Sequence, residues 1–438
     1  MGMLVLSIAL IIEMVLAIYC LITKHNHQKL RNWVRMAIFA VFITLTLTSI
    51  IMWSFRWVLL AILLFLPAVI GAVSLLRNKT TTQAYKGTRI VRKAIVMIFT
   101  LMLALAPALV FPQYKPLKVT GEYKVATATY TYVDNNRIEE FNDTGKNRFV
   151  NVEFWYPVHG NGSFPLLVFS HGAYGIKSSN ASTFTELASH GYIVVSIDHP
   201  YHSFYTTSKD GTTVTINKEY YQEVSNANKD GIYTIEQVYG LIQKWMKLRT
   251  DDMNFVIDMI LQKSKSDPNP LYKQINTDKI GVFGHSMGGA ASIGLGRERD
   301  DVHAVVNIDA PMFSELNYDK KTDDLVASGK PYTTPVLNIY SDDVWKQLDN
   351  QPSVYAANKV ADRNFSEMYT VHFQGAKHLS LTDLPLFSPL LANMLQGGKA
   401  DIDSHYCIET ENQIILNFFD HVLKGTGPFT PKATYGLK

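Results

Sequence analysis

In the segment Gly284-His285-Ser286-Met287-Gly288-Gly289, a serine stands two residues from a glycine on either side. An apolar run, Ile280-Gly281-Val282-Phe283, precedes it, and the small-residue stretch Ala290-Ala291-Ser292-Ile293-Gly294-Leu295 follows. A strand that turns sharply into a helix at a serine is a nucleophile elbow. Glycines are required there because a side chain would collide with neighbouring backbone. The turn lifts the Ser286 hydroxyl out of the sheet and aims the next amide, that of Met287, at the same reaction centre.

A serine hydroxyl needs a base to take its proton, and the base needs an acid to orient it. With the chain order serine, acid, histidine, the base falls in a loop after the last core strand. His378 fits: the strand Met368–Phe373 ends, Gln374-Gly375-Ala376-Lys377 turns, and the imidazole follows. His405 and His421 lie on or near the terminal helix, His372 alternates within a strand, and His285 packs beside the nucleophile. For the acid, Asp309 ends one strand, while Asp342 and Asp343 end the next; spacing alone leaves Asp309 and Asp343 both open. The second oxyanion donor is expected in Phe169-Ser170-His171-Gly172-Ala173-Tyr174-Gly175, with the Ala173 amide the best placed and His171 bracing the loop. His199 and His202 lie near a strand end without a third ligand, so no metal site is predicted. No nucleotide fingerprint or other cofactor motif is present.

These residues need a frame, and residues 113–438 supply an alternation of strands and helices. Gly121–Val133 and Arg148–Val158 open it as antiparallel strands joined by a polar segment. Strands follow at Leu166–Ser170, Tyr192–Asp198, Ile280–Gly284, Ala304–Ile308, Val336–Tyr340 and Met368–Phe373. Helices are predicted near Ala181–Ser189, over Ile235–Leu261 and over Glu409–Leu423. This alternation specifies an α/β, doubly wound, mostly parallel sheet with its reactive groups at the carboxyl ends of the strands. The polar, Tyr-rich insertion 200–231 shows no helical or strand period and is expected to be a lid or a surface excursion.

Residues 1–112 are a different material. Four apolar runs, Met3–Ile22, Val34–Trp53, Trp57–Leu76 and Ala94–Phe111, approach the roughly 20 residues that span a bilayer. Lys24, Lys29, Arg31 and Arg35 populate the first connection; Arg77, Lys79, Lys86, Arg89, Arg92 and Lys93 populate the third. The positive-inside rule places both in the cytoplasm and the catalytic domain outside it. Glu13, inside the first run, is expected to bond the hydroxyls of Thr44, Thr46 or Thr48. The net charge of +3 comes largely from those connections and gives no nucleic-acid signal. Cys20 and Cys407 are too far apart in this organisation to pair. Nothing in the pattern assigns an oligomeric state.

Phe169-Ser170-His171-Gly172, the elbow, Ile308-Asp309-Ala310-Pro311-Met312-Phe313, Gly375-Ala376-Lys377-His378 and Asp401-Ile402-Asp403-Ser404 form an ordered set over about residues 120–424. It resembles the platelet-activating-factor acetylhydrolases of the plasma and intracellular type-II kind, enzymes of the α/β-hydrolase fold. The resemblance implies a triad of Ser286, Asp309 and His378, favours Asp309 over Asp343, and implies metal-independent cleavage of short or oxidised acyl chains from phospholipid-like esters. The chain departs from that family in its N-terminal runs, in Pro311 and in the 200–231 insertion. The expected protein is a membrane-anchored serine esterase acting on lipid or other esters. A peptidase or amidase, an acyltransferase and a non-catalytic sensor or scaffold are the alternatives.

Overall fold

A computed structural model describes residues 2–77, 85–158, 162–350 and 353–436. Lys79, counted above among the basic residues of the third connection, lies outside the described residues. The chain divides into two compact units, Met1–Lys115 with Phe387–Leu391, and Pro116–Leu386 with Ala392–Lys438.

The first unit is built on four helices, Gly2–Thr23, Gln28–Leu47, Phe55–Leu76 and Gly87–Val110. Each is long and apolar enough to cross a membrane. The second begins at Gln28, so Arg31 and Arg35 belong to its first turns and not to a connecting loop. Both turn towards Glu13: Arg35 donates from Nε at 2.7 Å and from a terminal nitrogen at 3.2 Å, and Arg31 stands at 3.6 Å. The expected threonine partners are instead committed to their own helix. Thr44, Thr46 and Thr48 each donate to the carbonyl four residues back at 2.9 Å. A long guanidinium can reach a carboxylate across a helix pair with charge-assisted hydrogen bonds, and a hydroxyl cannot match that.

The second unit is organised by a nine-stranded sheet. In chain order its strands are β1 (Val125–Ile138), β2 (Asn147–Pro157), β3 (Phe164–Ser170) and β4 (Ile193–Asp198). A two-stranded hairpin, β5 (Tyr205–Thr207) and β6 (Thr213–Thr215), precedes β7 (Ile275–His285) and β8 (Val302–Ile308). A second hairpin, β9 (Leu316–Asp319) and β10 (Asp324–Ala327), precedes β11 (Val336–Ser341), β12 (Met368–Phe373) and β13 (Thr434–Tyr435). The sheet runs β1-β2-β4-β3-β7-β8-β11-β12-β13; the β1–β2 and β2–β4 pairs are antiparallel and the remaining pairs parallel. This is the mostly parallel α/β sheet that the strand–helix alternation predicts, in the α/β-hydrolase arrangement that the family resemblance implies.

Strand β3 shows why the fold needs two faces covered. All seven of its residues are buried. Leu166 and Val168 enter one apolar core with Val256, Ile257 and Ile260 of the long helix Ile235–Ser266. Leu167 and Phe169 enter the other, with Ile415, Phe418 and Phe419 of the helix Ser404–Phe419. A strand buried on both sides reads as a continuous apolar run, as this one does. The terminal helix starts earlier than its apolar pattern suggests because Asp403 caps it, accepting from the Tyr406 amide at 2.9 Å. The 200–231 insertion also departs from expectation. It contains the β5–β6 hairpin and a helix, Lys218–Ala227, whose N-cap Asn217 accepts from the Tyr220 amide.

Removing one member of a buried ion pair leaves the other uncompensated, typically at about 3–5 kcal/mol. Glu13→Gln should therefore lower the thermal midpoint of the detergent-solubilised protein, and an unchanged melt would show that Arg31 and Arg35 do not need the carboxylate.

Candidate active site

Ser286 separates β7 from the helix Met287–Glu298 with φ 55° and ψ −127°, a conformation that non-glycine residues rarely adopt. The neighbouring backbones explain the glycines. A Cβ on Gly288 would lie 1.9 Å from the Ser170 carbonyl oxygen, and one on Gly284 would lie 2.3 Å from the Gly288 carbonyl carbon. The turn is tied to the next strand by the Ser286 amide, which donates to Ile308 O at 2.8 Å. The first intrahelical bond runs from Ala290 N to Ser286 O at 3.1 Å. The Met287 amide thus belongs to the first turn, whose N–H groups have no partner within the helix and carry its positive dipole end.

His378 follows β12 through a turn centred on Gly375, which has φ 81°. Several backbone bonds hold this loop. Asp401 N and Ile402 N both donate to Gly375 O, at 2.9 and 3.2 Å, and Asp342 N donates to Ala376 O at 3.0 Å. The imidazole Nδ1–H donates to Asp309 Oδ2 at 2.7 Å. Asp309 is 1% exposed and also accepts from the Ser341 amide at 2.6 Å and the Ser341 hydroxyl at 2.7 Å. It too has a positive φ, 55°, at the end of β8. Asp343 meets His378 differently: its Oδ2 accepts from the His378 backbone amide at 3.1 Å, so it holds the loop and leaves the ring to Asp309. Asp342 pairs with His372 at 2.7 Å.

His285 links the elbow to His378. Its Nε2–H donates to His378 O at 2.9 Å, and the two rings stand 4.5 Å apart. On the other side of the elbow, a Cβ on Gly172 would come within 3.4 Å of Ser286 Cβ. His285 thus joins the elbow to the His378 loop, Asp309 holds the His378 ring, and the loop carrying Ala173 runs past Ser286.

Three side chains that pattern reading passed over support that loop. Arg249, fully buried, donates to the carbonyls of His171 and Gly172, the latter at 3.0 Å, and reaches the Ser170 hydroxyl at 3.3 Å. Tyr220, 2% exposed, donates to Ala173 O at 2.9 Å and stands 3.1 Å from Met287 Sδ. Asp252 accepts from Arg148 at 2.7 Å through each oxygen and from His199 Nδ1 at 3.0 Å, while His199 Nε2 faces the Ser170 hydroxyl at 2.9 Å. The sequence did hold a signal for Arg249. Ile242, Trp245, Met246, Arg249, Met253, Val256 and Ile260 recur at helical spacing, which puts a charge in the buried stripe. His171 braces the same loop, with Nδ1 to Gly172 O and Nε2 to Ser203 Oγ, both 2.7 Å. His202 stacks on Tyr220 at 3.6 Å.

The family model of platelet-activating factor acetylhydrolase, isoform II, matches residues 141–427. The chain belongs to this family. The four apolar helices lie before the matched segment. A platelet-activating factor acetylhydrolase of Canis lupus familiaris is 26% identical over 274 residues, which are 60% of this chain and 58% of that one. A probable 1-alkyl-2-acetylglycerophosphocholine esterase of Arthroderma benhamiae is 25% identical over 158 residues, 36% of this chain and 34% of that one. The chain thus spans less than two thirds of these relatives' length. A solved ferulic acid esterase from Streptomyces cinnamoneus superposes with a TM-score of 0.54 at 18% identity, over 72% of this chain and 96% of that one; it shares the fold.

The histidines around this isoform II family site are kept neutral by burial. Burial holds His199 down at about 4, against the opposing pull of Asp252, and holds His171, His202 and His285 well below the ordinary imidazole range. In an unfolded chain they would titrate near 6.5. Their folded values are depressed, so the stability they contribute is complete above about pH 6.5 and is lost as pH falls towards 4, because the unfolded state binds more protons. Each such group steepens the fall by up to about 1.4 kcal/mol per pH unit. Burial raises the carboxyls of Asp383 and Glu411, which act in the opposite sense, so the expected outcome is a difference: His202→Phe, which keeps the stack on Tyr220, should lose less thermal stability between pH 7 and 5 than the unaltered protein.

Proposed function

We propose that this protein is a membrane-anchored serine hydrolase of carboxylic esters, with Ser286 as nucleophile, His378 as base and Asp309 as the orienting acid. The observation that carries the reading is the 2.7 Å bond between His378 Nδ1 and the buried Asp309, which directs Nε2 away from the acid. His378 Nε2 takes the Ser286 proton as Oγ adds to the ester carbonyl. The oxygen of the resulting tetrahedral adduct takes the negative charge and is held by the Ala173 and Met287 amides. Asp309 stabilises the imidazolium, which then protonates the departing alcohol. Water, deprotonated by His378, attacks the acyl-serine and releases the acid.

Residues 113–438 form the hydrolase domain in this reading and residues 1–112 the membrane region, with the hydrolase domain on the extracytoplasmic side. The basic residues Lys24, Lys29, Arg77, Lys86, Arg89, Arg92 and Lys93 support that orientation. The substrate class is a short-chain ester on a phospholipid-like alcohol, carried over from the names of the acetylhydrolase relatives. Membrane anchoring favours esters presented in a bilayer. The 200–231 insertion acts as a fixed wall of the site more than as a swinging lid, a reading supported by the buried Tyr220.

A fluorophosphonate probe on the intact protein tests the assignment. Labelling should be abolished in Ser286→Ala and fall by about 10³-fold in rate or more in His378→Ala. Asp309→Asn should lower it strongly and Asp343→Asn only slightly; strong loss in Asp343→Asn alone would reassign the acid.

A further inference from the structure

Arg249 is a fully buried cation whose hydrogen bonds go to neutral oxygens: the carbonyls of His171, Gly172 and Ala173, and the hydroxyls of Ser170 and Tyr220. The carboxylate one helical turn on, Asp252, makes its ion pairs with Arg148, Arg137 and His199, and acts on Arg249 only through space. Burial is the largest influence on Arg249 and lowers its pKa, yet a guanidinium stays protonated in proteins. The surrounding imidazoles of His171, His199 and His202 are held neutral. A positive charge therefore lies directly behind the loop that runs past Ser286.

The peptide bonds of this loop translate that contact into direction. A trans peptide is planar, so its C=O and N–H point opposite ways, and the chain has no cis peptides among the described residues. The Gly172 carbonyl is turned to Arg249 at 3.0 Å, so the Ala173 N–H of the same peptide faces away from it. Gly172 itself lies against Ser286. Tyr220 completes the frame, since one phenolic oxygen contacts Ala173 O at 2.9 Å and Met287 Sδ at 3.1 Å. Those are the two residues whose amides would hold the oxyanion.

We propose that Arg249 and Tyr220 are positioning residues of the oxyanion hole: Arg249 turns the Ala173 amide towards the reaction centre and adds a fixed positive charge behind it, and Tyr220 sets the spacing between the Ala173 and Met287 donors. This rests on the reading of Ser286 as the nucleophile. Both effects act on charge that develops only in the tetrahedral state, so they belong in kcat and not in KM. The buried Ser170–His199–Asp252 chain is the structural support of this arrangement, since it fixes the hydroxyl that Arg249 also contacts.

The test uses the full-length protein in detergent, with p-nitrophenyl acetate as substrate and a trifluoromethyl ketone as reversible tetrahedral mimic. Ser286 Oγ adds to the ketone carbon, its proton passes to His378, and the negative charge forms on the former carbonyl oxygen. Arg249→Lys keeps the charge and loses the planar fork; it should lower kcat by about 10²-fold, the scale of one lost oxyanion donor. Tyr220→Phe keeps the buried ring and should lower kcat about tenfold, the kinetic equivalent of one neutral hydrogen bond. In both variants KM should change little, and the ketone should weaken in parallel with kcat/KM at unchanged thermal midpoint for Tyr220→Phe. Ketone affinity and kcat untouched in Tyr220→Phe and Arg249→Lys, with hydrolysis still abolished in Ser286→Ala, would overturn the proposal alone. Hydrolysis surviving Ser286→Ala would overturn the nucleophile reading beneath it.

Discussion

Three backbones crowd together at Ser286, and the space between them admits no side chain at Gly284 or Gly288. The serine is held in a strained conformation, of a kind that costs about 1–3 kcal/mol, because β7, the following helix and the end of β3 leave no other path. That same crowding brings Gly172 against the serine and delivers the first amides of the helix to its side. The strain is sustained by the cores on both faces of β3 and β7, where every side chain of β3 is buried. Removing the sheet would remove the elbow.

Around this point the charges are arranged by depth. Asp309 lies buried under three donors, two from Ser341 and one from His378, so its carboxylate is fully engaged before any substrate arrives. Behind the loop that carries Ala173 the guanidiniums of Arg148 and Arg249 occupy the interior with Asp252 and Glu139. Buried charges persist only when paired and hydrogen-bonded, and the carbonyls of residues 171–173 serve as partners for one of them. In the proposed mechanism a single set of bonds therefore satisfies a buried cation and orients the amide that the reaction uses.

How much of this was legible in the sequence depends on whether a feature is local. Gly-x-Ser-x-Gly between an apolar run and a small-residue helix announces the elbow, because the steric requirement is written within a few residues. His378 after a Gly-containing turn is legible for the same reason. Spacing does not choose between Asp309 and Asp343, since both follow strand ends, whereas the family resemblance favours Asp309; in the structure the His378 ring bonds Asp309 and the His378 backbone amide bonds Asp343. The partners of Glu13 are not legible from hydropathy, because the apolar run begins at Val34 while the helix begins at Gln28 and carries Arg31 and Arg35 into reach. The 200–231 insertion lacks an obvious period because its hairpin and helix are short, and their order depends on contacts such as His202 on Tyr220.

The most direct test of the central claim is to look for the acyl group itself. Full-length protein mixed rapidly with p-nitrophenyl acetate, quenched in acid within the first turnover and digested, should yield an acetylated peptide with the modification on Ser286, absent from Ser286→Ala. Acetyl on another residue, or turnover with no acylated peptide in a protein that is folded and active, would contradict the account.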